Sequence, residues 1–202
     1  MRKATAMGQA PSPNEAPHRA HAIVEQLGTR PIVLVGLMGA GKSAIGRKLA
    51  QALNLEFLDA DTEIEKAADM PIADIFEAYG EPEFRRLEAS VMKRLLGEGP
   101  MVLATGGGAF MDEQTRHDIK ACGVSVWLNA ELDLLIARVS RKSTRPLLKQ
   151  PNPRGIMQGL MEKRYPVYAE ADVEVTSQDV TKEAMVEIVM SALETHLSNE
   201  KK

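Results

Sequence analysis

The residues best suited to chemistry form a glycine-rich run at 36–43, which reads GLMGAGKS and has the pattern G-x-x-x-x-G-K-S. Its glycines let the backbone turn so that successive N–H groups point at phosphate oxygens. Lys42 brings a cation toward the outer phosphates, and the Ser43 hydroxyl can ligate Mg²⁺. An apolar stretch at 32–35 precedes the run and a helical pattern follows it, so a helix N-terminus also faces the phosphates. The sequence therefore predicts a phosphate-binding loop.

Two acidic residues follow the second apolar run of the chain. Asp59 and Asp61 have one residue between them, so on an extended stretch both side chains project to the same face. Asp59 can hold Mg²⁺ directly or through water, because this ion takes few protein carboxylates. Asp61 is then free to face a substrate hydroxyl. The alternative is that Asp61 caps a helix that begins near Thr62.

The signatures of the common ATPases and GTPases are absent from the sequence. No Asp directly follows the apolar runs at 101–104 and 124–128, and no Asn-Lys-x-Asp pattern occurs. A kinase for a small molecule is the better class, since phosphoryl transfer to a hydroxyl needs positioning, Mg²⁺ and charge neutralisation around the acceptor.

A pair of adjacent arginines lies on a predicted helix that follows a turn at 80–82. Arg85 and Glu88 are one helical turn apart, so Glu88 can orient the guanidinium. A guanidinium held in this way can grip a planar carboxylate with two parallel hydrogen bonds. Arg86 is interpreted as part of a solvated helix face. The pattern therefore predicts that Arg85 binds an acidic substrate.

The elements that must position these residues alternate between short apolar runs and amphipathic segments, which is typical of a parallel sheet flanked by helices. Ligands of such sheets bind beyond the carboxyl ends of the strands. The phosphate-binding loop, the acidic pair and the glycines at 106–108 all follow predicted strands, so we expect them at one edge. The predicted strands are 32–35, 55–58, 101–104, 124–128 and 173–175, and the predicted helices are 43–53, 72–79, 83–96, 112–121, 132–141, 156–164 and 182–197.

The composition indicates one globular domain. The chain has 202 residues, 44% of them apolar and 26% charged, with a net charge of −3. This slightly acidic balance gives no reason to expect a nucleic-acid partner. No apolar run approaches the roughly 20 residues that a bilayer crossing needs. The single cysteine, Cys122, excludes an intramolecular disulfide, and we therefore expect a protein of the cytoplasm.

Residues 1–29 are expected to form a flexible N-terminal extension ahead of a domain at 30–198. The extension contains Pro11, Pro13, Pro17 and several small or polar residues, without the central apolar block of a secretory signal. A short helix near 20–27 is compatible with the pattern. An organellar transit peptide is the alternative, although basic residues are few.

Six motifs together resemble the shikimate kinase family, in the family's order and spacing and over about residues 31–178. The resemblance implies a P-loop kinase fold of the nucleoside monophosphate kinase-like group, an α/β three-layer sandwich with a five-stranded parallel sheet. It also implies a mobile lid over about 140–155, and that segment is basic and rich in proline and glycine. The motifs are 36–43, Asp59-x-Asp61, 80–88, 106–108, RPLL at 145–148 and Arg164.

The same resemblance implies a reaction and a role for each matching residue. The chain would transfer the γ-phosphoryl group of MgATP to the 3-hydroxyl of shikimate, a step of aromatic amino-acid biosynthesis. The implied catalytic residues are Lys42, Asp61 and Arg145. Those implied to bind ATP are Gly39, Ala40, Gly41, Lys42, Ser43, Ala44, Arg138 and Arg145; those for Mg²⁺ are Ser43 and Asp59; and those for shikimate are Asp61, Arg85, Gly107 and Arg164.

Two other functions remain open at this stage. One is a kinase for another small hydroxylated acid such as gluconate, because arginines suit any carboxylate and the sequence does not display the shape of the acceptor site. The other is a nucleotide-binding regulator that has lost catalysis, but such a protein has no need of Asp61 on the acceptor side. A monomer is expected, because the family builds its site within one chain.

Overall fold

The framework of the fold is a sheet of five parallel strands, seen in a computed structural model that describes residues 15–141 and 151–200. The strands are β1 (Ile32–Val35), β2 (Glu56–Asp59), β3 (Met101–Ala104), β4 (Val124–Asn129) and β5 (Val173–Thr176). Their spatial order is β2-β3-β1-β4-β5. All residues of β1 and β3 are buried, as expected for parallel strands covered on both faces. The predicted five-stranded parallel sheet is confirmed.

Helices connect the strands and complete the sandwich. In the described residues they are α1 (Glu15–Leu27), α2 (Lys42–Leu53), α3 (Ala60–Ala68), α4 (Ile72–Leu96), α5 (Glu113–Cys122), α6 (Leu132–Ser140), α7 (Pro153–Tyr168) and α8 (Lys182–Asn199). One group of helices consists of α2 with its neighbours α1 and α8, and another consists of α4 with its neighbours α3 and α5. Within the described ranges, none of them combines the length and the apolarity that crossing a membrane requires.

Short polar side chains define where several helices begin. Asp112 accepts a hydrogen bond from the Thr115 N–H at the start of α5, and Thr181 accepts one from Ala184 at the start of α8. Such caps satisfy backbone donors that the first helical turn leaves unpaired. The apolar positions then face the core at helical spacing, as in α2 with Ile45, Leu49 and Leu53.

Helix α4 contains the two helices predicted at 72–79 and 83–96, which are joined by a kink at Gly80 where the backbone is not helical. The φ of 78° at Gly80 is readily accessible only to a residue without a Cβ, so the predicted turn is present as this kink. The pattern does not predict α3, because only Ala60 and Ile64 in this short, charged helix are buried.

The N-terminal extension is not flexible throughout: the prediction of a flexible stretch over 1–29 is wrong for residues 15–27, whereas the short helix expected near 20–27 is confirmed and begins earlier. These residues form α1, which packs on α2 and α8 with Ile23 and Leu27 fully buried. Arg19 donates to Glu187 and Glu194 of α8 at 2.6 and 2.7 Å. The apolar stripe is only two or three side chains long, so the preceding prolines and polar residues obscure it. Residues 1–14 lie outside the described ranges.

Candidate active site

The glycine-rich run forms a loop between β1 and α2, as its strand–loop–helix setting predicts. Gly39 and Gly41 have φ values of 89° and 106°, a region of backbone conformation that favours glycine. A Cβ at Gly39 would lie 3.1 Å from the Leu135 carbonyl oxygen, so space as well as conformation requires glycine there. Because α2 begins at Lys42, its free N–H groups and positive dipole end face the loop.

A cavity of about 640 Å³ lies above this loop. The Lys42 amine donates to the carbonyls of Gly36 and Leu37 at 2.7 and 3.1 Å, which holds it over the loop. Ala40 is buried and presents its carbonyl oxygen to Arg138 rather than its side chain to the cavity. The predicted nucleotide contacts that line the cavity are Gly39, Gly41, Lys42, Ser43, Ala44 and Arg138.

The two residues predicted to hold Mg²⁺ are in direct contact. The Ser43 hydroxyl donates to Asp59 Oδ2 at 2.7 Å. A hydroxyl and a single carboxylate suit Mg²⁺, which usually completes its shell with water and substrate phosphates. In the described residues no group of three or more His, Cys, Asp or Glu side chains could hold a metal. The donor set therefore fits an ion that arrives with a nucleotide.

Asp61 lies at the same cavity, but it lies on a helix that the sequence pattern does not predict. The strand ends at Asp59, which caps α3 by accepting from the Asp61 N–H at 3.2 Å. Asp61 therefore lies in the first turn of a helix, and its expected place on an extended stretch is wrong, as is its alternative role as the cap. Its carboxylate lines the cavity. Burial and the nearby charge of Asp59 raise the pKa of Asp61 above the ordinary range.

The glycines after β3 bring opposite charges close to one stretch of backbone. A Cβ at Gly106 would lie 2.9 Å from Asp61 Oδ1 and 3.0 Å from Glu88 Oε1. Two carboxylates thus press against Gly106. Only a residue without a side chain leaves room for both.

The next two glycines face the two arginines instead. A Cβ at Gly107 would lie 3.1 Å from Arg164 Nη1, and one at Gly108 would lie 2.8 Å from Arg85 Cζ. Gly106 and Gly107 line the larger cavity, whereas Gly108 lines a smaller pocket of about 280 Å³. This short glycine run therefore borders both spaces.

Arg85 is held on α4 by carboxylates on both sides. Its Nη1 donates to Glu88 at 2.6 Å, and its Nη2 donates to Glu81 at 3.1 Å. Burial alone would lower the pKa of Arg85, but the bond to Glu88 and its charge raise it. The pKa of Glu88 is raised, first by burial and also by the charge of Asp61, although the bond and the charge of Arg85 oppose this. Arg86 instead pairs with Glu83 on the exposed face, as interpreted from the sequence.

Arg164 comes from α7 and meets Arg85 at the smaller pocket, which both line. Its Nη1 donates to the Gly107 carbonyl at 2.8 Å, and the buried Tyr168 hydroxyl donates to the same oxygen. The structure therefore brings the two predicted carboxylate-binding arginines together. It also places Tyr168 at the site, for which the sequence offers no signal beyond its distance of one helical turn from Arg164.

Arg138 connects the phosphate loop to the chain after β5. Its guanidinium donates to Ser177 Oγ at 2.8 Å and to the Gln178 carbonyl at 2.6 Å, and Nη1 also lies 3.3 Å from the Ala40 carbonyl. Ser177 lies in the segment 176–179 directly after β5, which the resemblance to the family suggests for its adenine-binding loop. Other cavity residues from this region are Asp179, Val180, Lys182 and Met185.

The predicted lid falls largely outside the described residues. Arg145 and the rest of 142–150 belong to the part of the chain that is not described. Arg141, directly before it, lines the larger cavity. Asn152, two residues after it, caps α7 by accepting from the Gly155 N–H.

Comparison with known proteins identifies the family. The model of the shikimate kinase family matches residues 38–194. Shikimate kinase of Brucella canis is 55% identical over 184 residues, which is 91% of this chain and 92% of that protein. Shikimate kinase of Rhizobium meliloti is 57% identical over 170 residues, 84% of this chain and 88% of that protein.

A solved structure agrees with these sequence relatives. Shikimate kinase from Acinetobacter baumannii in complex with shikimate superposes with a TM-score of 0.80 at 38% identity, over 91% of this chain and 99% of that one. The resemblance that the six motifs indicate is confirmed. The chain belongs to the shikimate kinase family.

Proposed function

We propose that the chain catalyses the reaction for which its family is named, transfer of the γ-phosphoryl group of MgATP to the 3-hydroxyl of shikimate. One observation carries the assignment to these residues. The glycine run at 106–108 borders both the cavity above the phosphate loop and the pocket lined by Arg85 and Arg164. Asp61 lines the larger cavity and lies against Gly106, two residues before the Gly108 of the smaller pocket. A phosphate donor and a carboxylate-bearing acceptor could therefore meet beside this carboxylate.

On the nucleotide side, the N–H groups at 39–44 and the Lys42 ammonium bind the phosphates. Such donors match charge that spreads over the phosphate oxygens in the transition state. Arg138 lines the cavity and is held in place by its hydrogen bonds to Ser177 and Gln178. The role of Arg145 in neutralising phosphate charge is supported by the family resemblance alone.

Ser43 and Asp59 would hold Mg²⁺. The ion, when bound, would neutralise charge on the phosphates of the nucleotide. The hydrogen bond between the two side chains supports this assignment, because their oxygens are close enough to share one small ion.

On the acceptor side, Arg85 and Arg164 bind the carboxylate of shikimate, and Gly107 contributes backbone contacts to the ring hydroxyls. Asp61 accepts the proton of the 3-hydroxyl while the oxygen of that hydroxyl forms a bond to the γ-phosphorus. The bond from that phosphorus to the β,γ-bridging oxygen breaks, and ADP leaves with the electron pair. The products are shikimate 3-phosphate and ADP.

The assembly and place of action are part of the same proposal. All residues assigned here come from one chain, so a monomer is sufficient for activity. A chain with one cysteine is suited to the cytoplasm, where aromatic amino-acid biosynthesis would use the product.

The product identifies the reaction. Incubation of the protein with MgATP and shikimate, followed by ³¹P and ¹H NMR, should show a phosphate monoester coupled to the proton on carbon 3. A phosphate on another hydroxyl would contradict the proposed geometry. No transfer to shikimate, with ATP still bound, would contradict the function.

A further inference from the structure

Two hydrogen-bond donors from α7 converge on one backbone oxygen. Arg164 Nη1 and the Tyr168 hydroxyl both donate to the Gly107 carbonyl. Residues four apart on a helix lie on one face, so a single face of α7 supplies both donors. The acceptor belongs to the glycine run after β3, which is distant in sequence and borders both cavities.

We propose that Tyr168 is a positioning residue for the acceptor site, whose hydroxyl fixes the Gly107 carbonyl and thereby the guanidinium of Arg164. The inference rests on the proposed role of Arg164 in binding the acceptor's carboxylate. Tyr168 itself does not touch the substrate, because its side chain is fully buried and lines neither cavity.

The reason is geometric. A guanidinium can bind a carboxylate with two parallel bonds only if its plane is fixed. Arg164 commits one N–H to the Gly107 oxygen, so the position of that oxygen sets the plane. A carbonyl oxygen has two lone pairs, and with two donors both are used. Without Tyr168, the Gly107 peptide would be held from this side by Arg164 alone, and the two could shift together.

The surroundings of Tyr168 keep its hydroxyl protonated, so that it can donate a hydrogen bond. Its ring lies among Phe110, Trp127 and Tyr165, with centroid distances of 6.3, 6.1 and 6.2 Å. Burial raises the pKa of Tyr168 above its ordinary value, so the hydroxyl keeps its proton at neutral pH. The hydrogen bond to Gly107 therefore does not depend on pH in the range of an ordinary assay.

The same helix carries a matched control. The Tyr165 hydroxyl also donates to a backbone carbonyl, that of Ala130, and its ring meets Trp127 edge-on at 5.0 Å. Ala130 lines neither cavity. Tyr165→Phe thus removes an equivalent hydroxyl from the same helix without touching the acceptor side.

Steady-state kinetics of Tyr168→Phe and Tyr165→Phe test the inference. Tyr168→Phe should raise the KM for shikimate about 5- to 20-fold, the loss expected for one well-placed hydrogen bond, and change the KM for ATP less than about twofold. Tyr165→Phe should leave both KM values unchanged. Both variants should lower the melting temperature by a similar amount, about 2–4 °C. An unchanged KM for shikimate in Tyr168→Phe, or equal changes in both variants, would overturn the inference.

Binding can be followed without turnover, because Trp127 is the only tryptophan of the chain and lies beside Tyr168. Titration of its fluorescence with shikimate gives a Kd for each variant, including one too slow to assay. The Kd of Tyr168→Phe should rise by the same factor as its KM. A wild-type Kd in Tyr168→Phe would overturn the inference.

Arg164→Lys separates this inference from the proposed function. If Arg164→Lys leaves the KM for shikimate unchanged, the role of Arg164 fails and the inference fails with it. If Arg164→Lys raises this KM while Tyr168→Phe does not, only the inference fails. Because Tyr168 acts through Arg164, the double variant should be no worse than Arg164→Lys alone. Multiplied effects would contradict that coupling.

Discussion

The cavity above the phosphate loop and the smaller arginine pocket are built in different ways. Eight consecutive residues, 38–45, supply much of the first, and all of them except Ala40 line it directly. The second takes its walls from α4, the glycine run, the start of α5 and α7. A phosphate can be bound by backbone groups of one loop, whereas a carboxylate on a ring needs side chains from several directions.

In the arginine pocket, other groups of the protein hold the charged side chains in place. Arg85 is bound by Glu81 and Glu88, and Arg164 by the Gly107 carbonyl. These bonds fix the planes of the guanidinium groups before any ligand arrives. Fixed planes favour a planar carboxylate over a freely rotating anion. We therefore expect changes in the arginine pocket to affect the acceptor far more than ATP.

The largest expected effect separates chemistry from nucleotide binding. Asp61→Asn should lower kcat about 10²- to 10⁴-fold, because the amide cannot accept the proton of the acceptor hydroxyl. The Kd for MgATP, measured by calorimetry, should change less than about threefold. The control is Asp74→Asn, an exposed carboxylate on α4 that should behave as wild type. Comparable turnover in Asp61→Asn and wild type would reject the role of Asp61.

The next effect concerns the fork of Arg85. Arg85→Lys should raise the KM for shikimate about 10- to 100-fold, because lysine cannot form two parallel bonds to a carboxylate. The KM for ATP should stay within about twofold. Arg86→Lys, on the neighbouring residue, alters only an exposed pair with Glu83 and should change neither value. Equal increases in both KM values for Arg85→Lys would mean that Arg85 is structural.

A smaller effect should follow from crowding Arg85 without changing it. In Gly108→Ala, the new Cβ would occupy space within 2.8 Å of Arg85 Cζ, so the flexible side chain must move aside. The KM for shikimate should rise about tenfold, with the melting temperature nearly unchanged. Gly159→Ala on α7 is the control, because no atom lies within 4 Å of its Cβ position.

Gly159→Ala should stabilise the protein by about 0.5–1 kcal/mol, since alanine favours a helix, and leave both KM values alone. A wild-type KM for shikimate in Gly108→Ala would show that Arg85 can bind the acceptor from a displaced position.

The smallest effect is on the pH dependence of stability. The pKa of Glu88 is raised above its ordinary value of 4.5, first by burial, so the folded state holds this proton more tightly than the unfolded state. The free energy of unfolding should therefore decline as pH rises from about 4.5 through the raised pKa, and then level off. Glu88→Gln should remove this part of the decline in urea titrations of the unliganded protein.

Glu83→Gln is the matched control on the same helix. Arg86 lowers the pKa of Glu83, so its contribution has the opposite sign, is lost as pH falls, and is screened by solvent. If the pH dependence of Glu88→Gln matched that of wild type, burial would not govern the ionisation of Glu88.

The sequence predicts best what lies close together along the chain. The loop at 36–43 and the contact of Arg85 with Glu88 depend on spacing within one loop or one helical turn. The strands are confirmed to within a residue at each end, and the match is complete for β1 and β3, whose apolar runs are buried on both faces. The motifs lie at one edge of the sheet because each of them follows a strand, and the carboxyl ends of parallel strands lie at the same edge.

What sequence patterns leave out depends on contacts between distant segments. Helix α3 begins at Ala60, directly after β2, because Asp59 serves as its cap. Asp61 therefore lies on a helix and not on an extended stretch. Helix α1 owes its order to the buried Ile23 and to ion pairs with α8. Tyr168 meets Gly107 only after α7 docks beside the glycine run. No local pattern announces such contacts.

The central claim is that the acceptor beside Asp61 is shikimate. The most direct test measures ADP release by the purified protein with MgATP alone and with shikimate, gluconate or quinate added. The account predicts strong stimulation by shikimate, with little from the other two acids, because the fixed arginines select one arrangement of carboxylate and hydroxyl. Equal stimulation by gluconate, or none by shikimate while ATP binds, would contradict it.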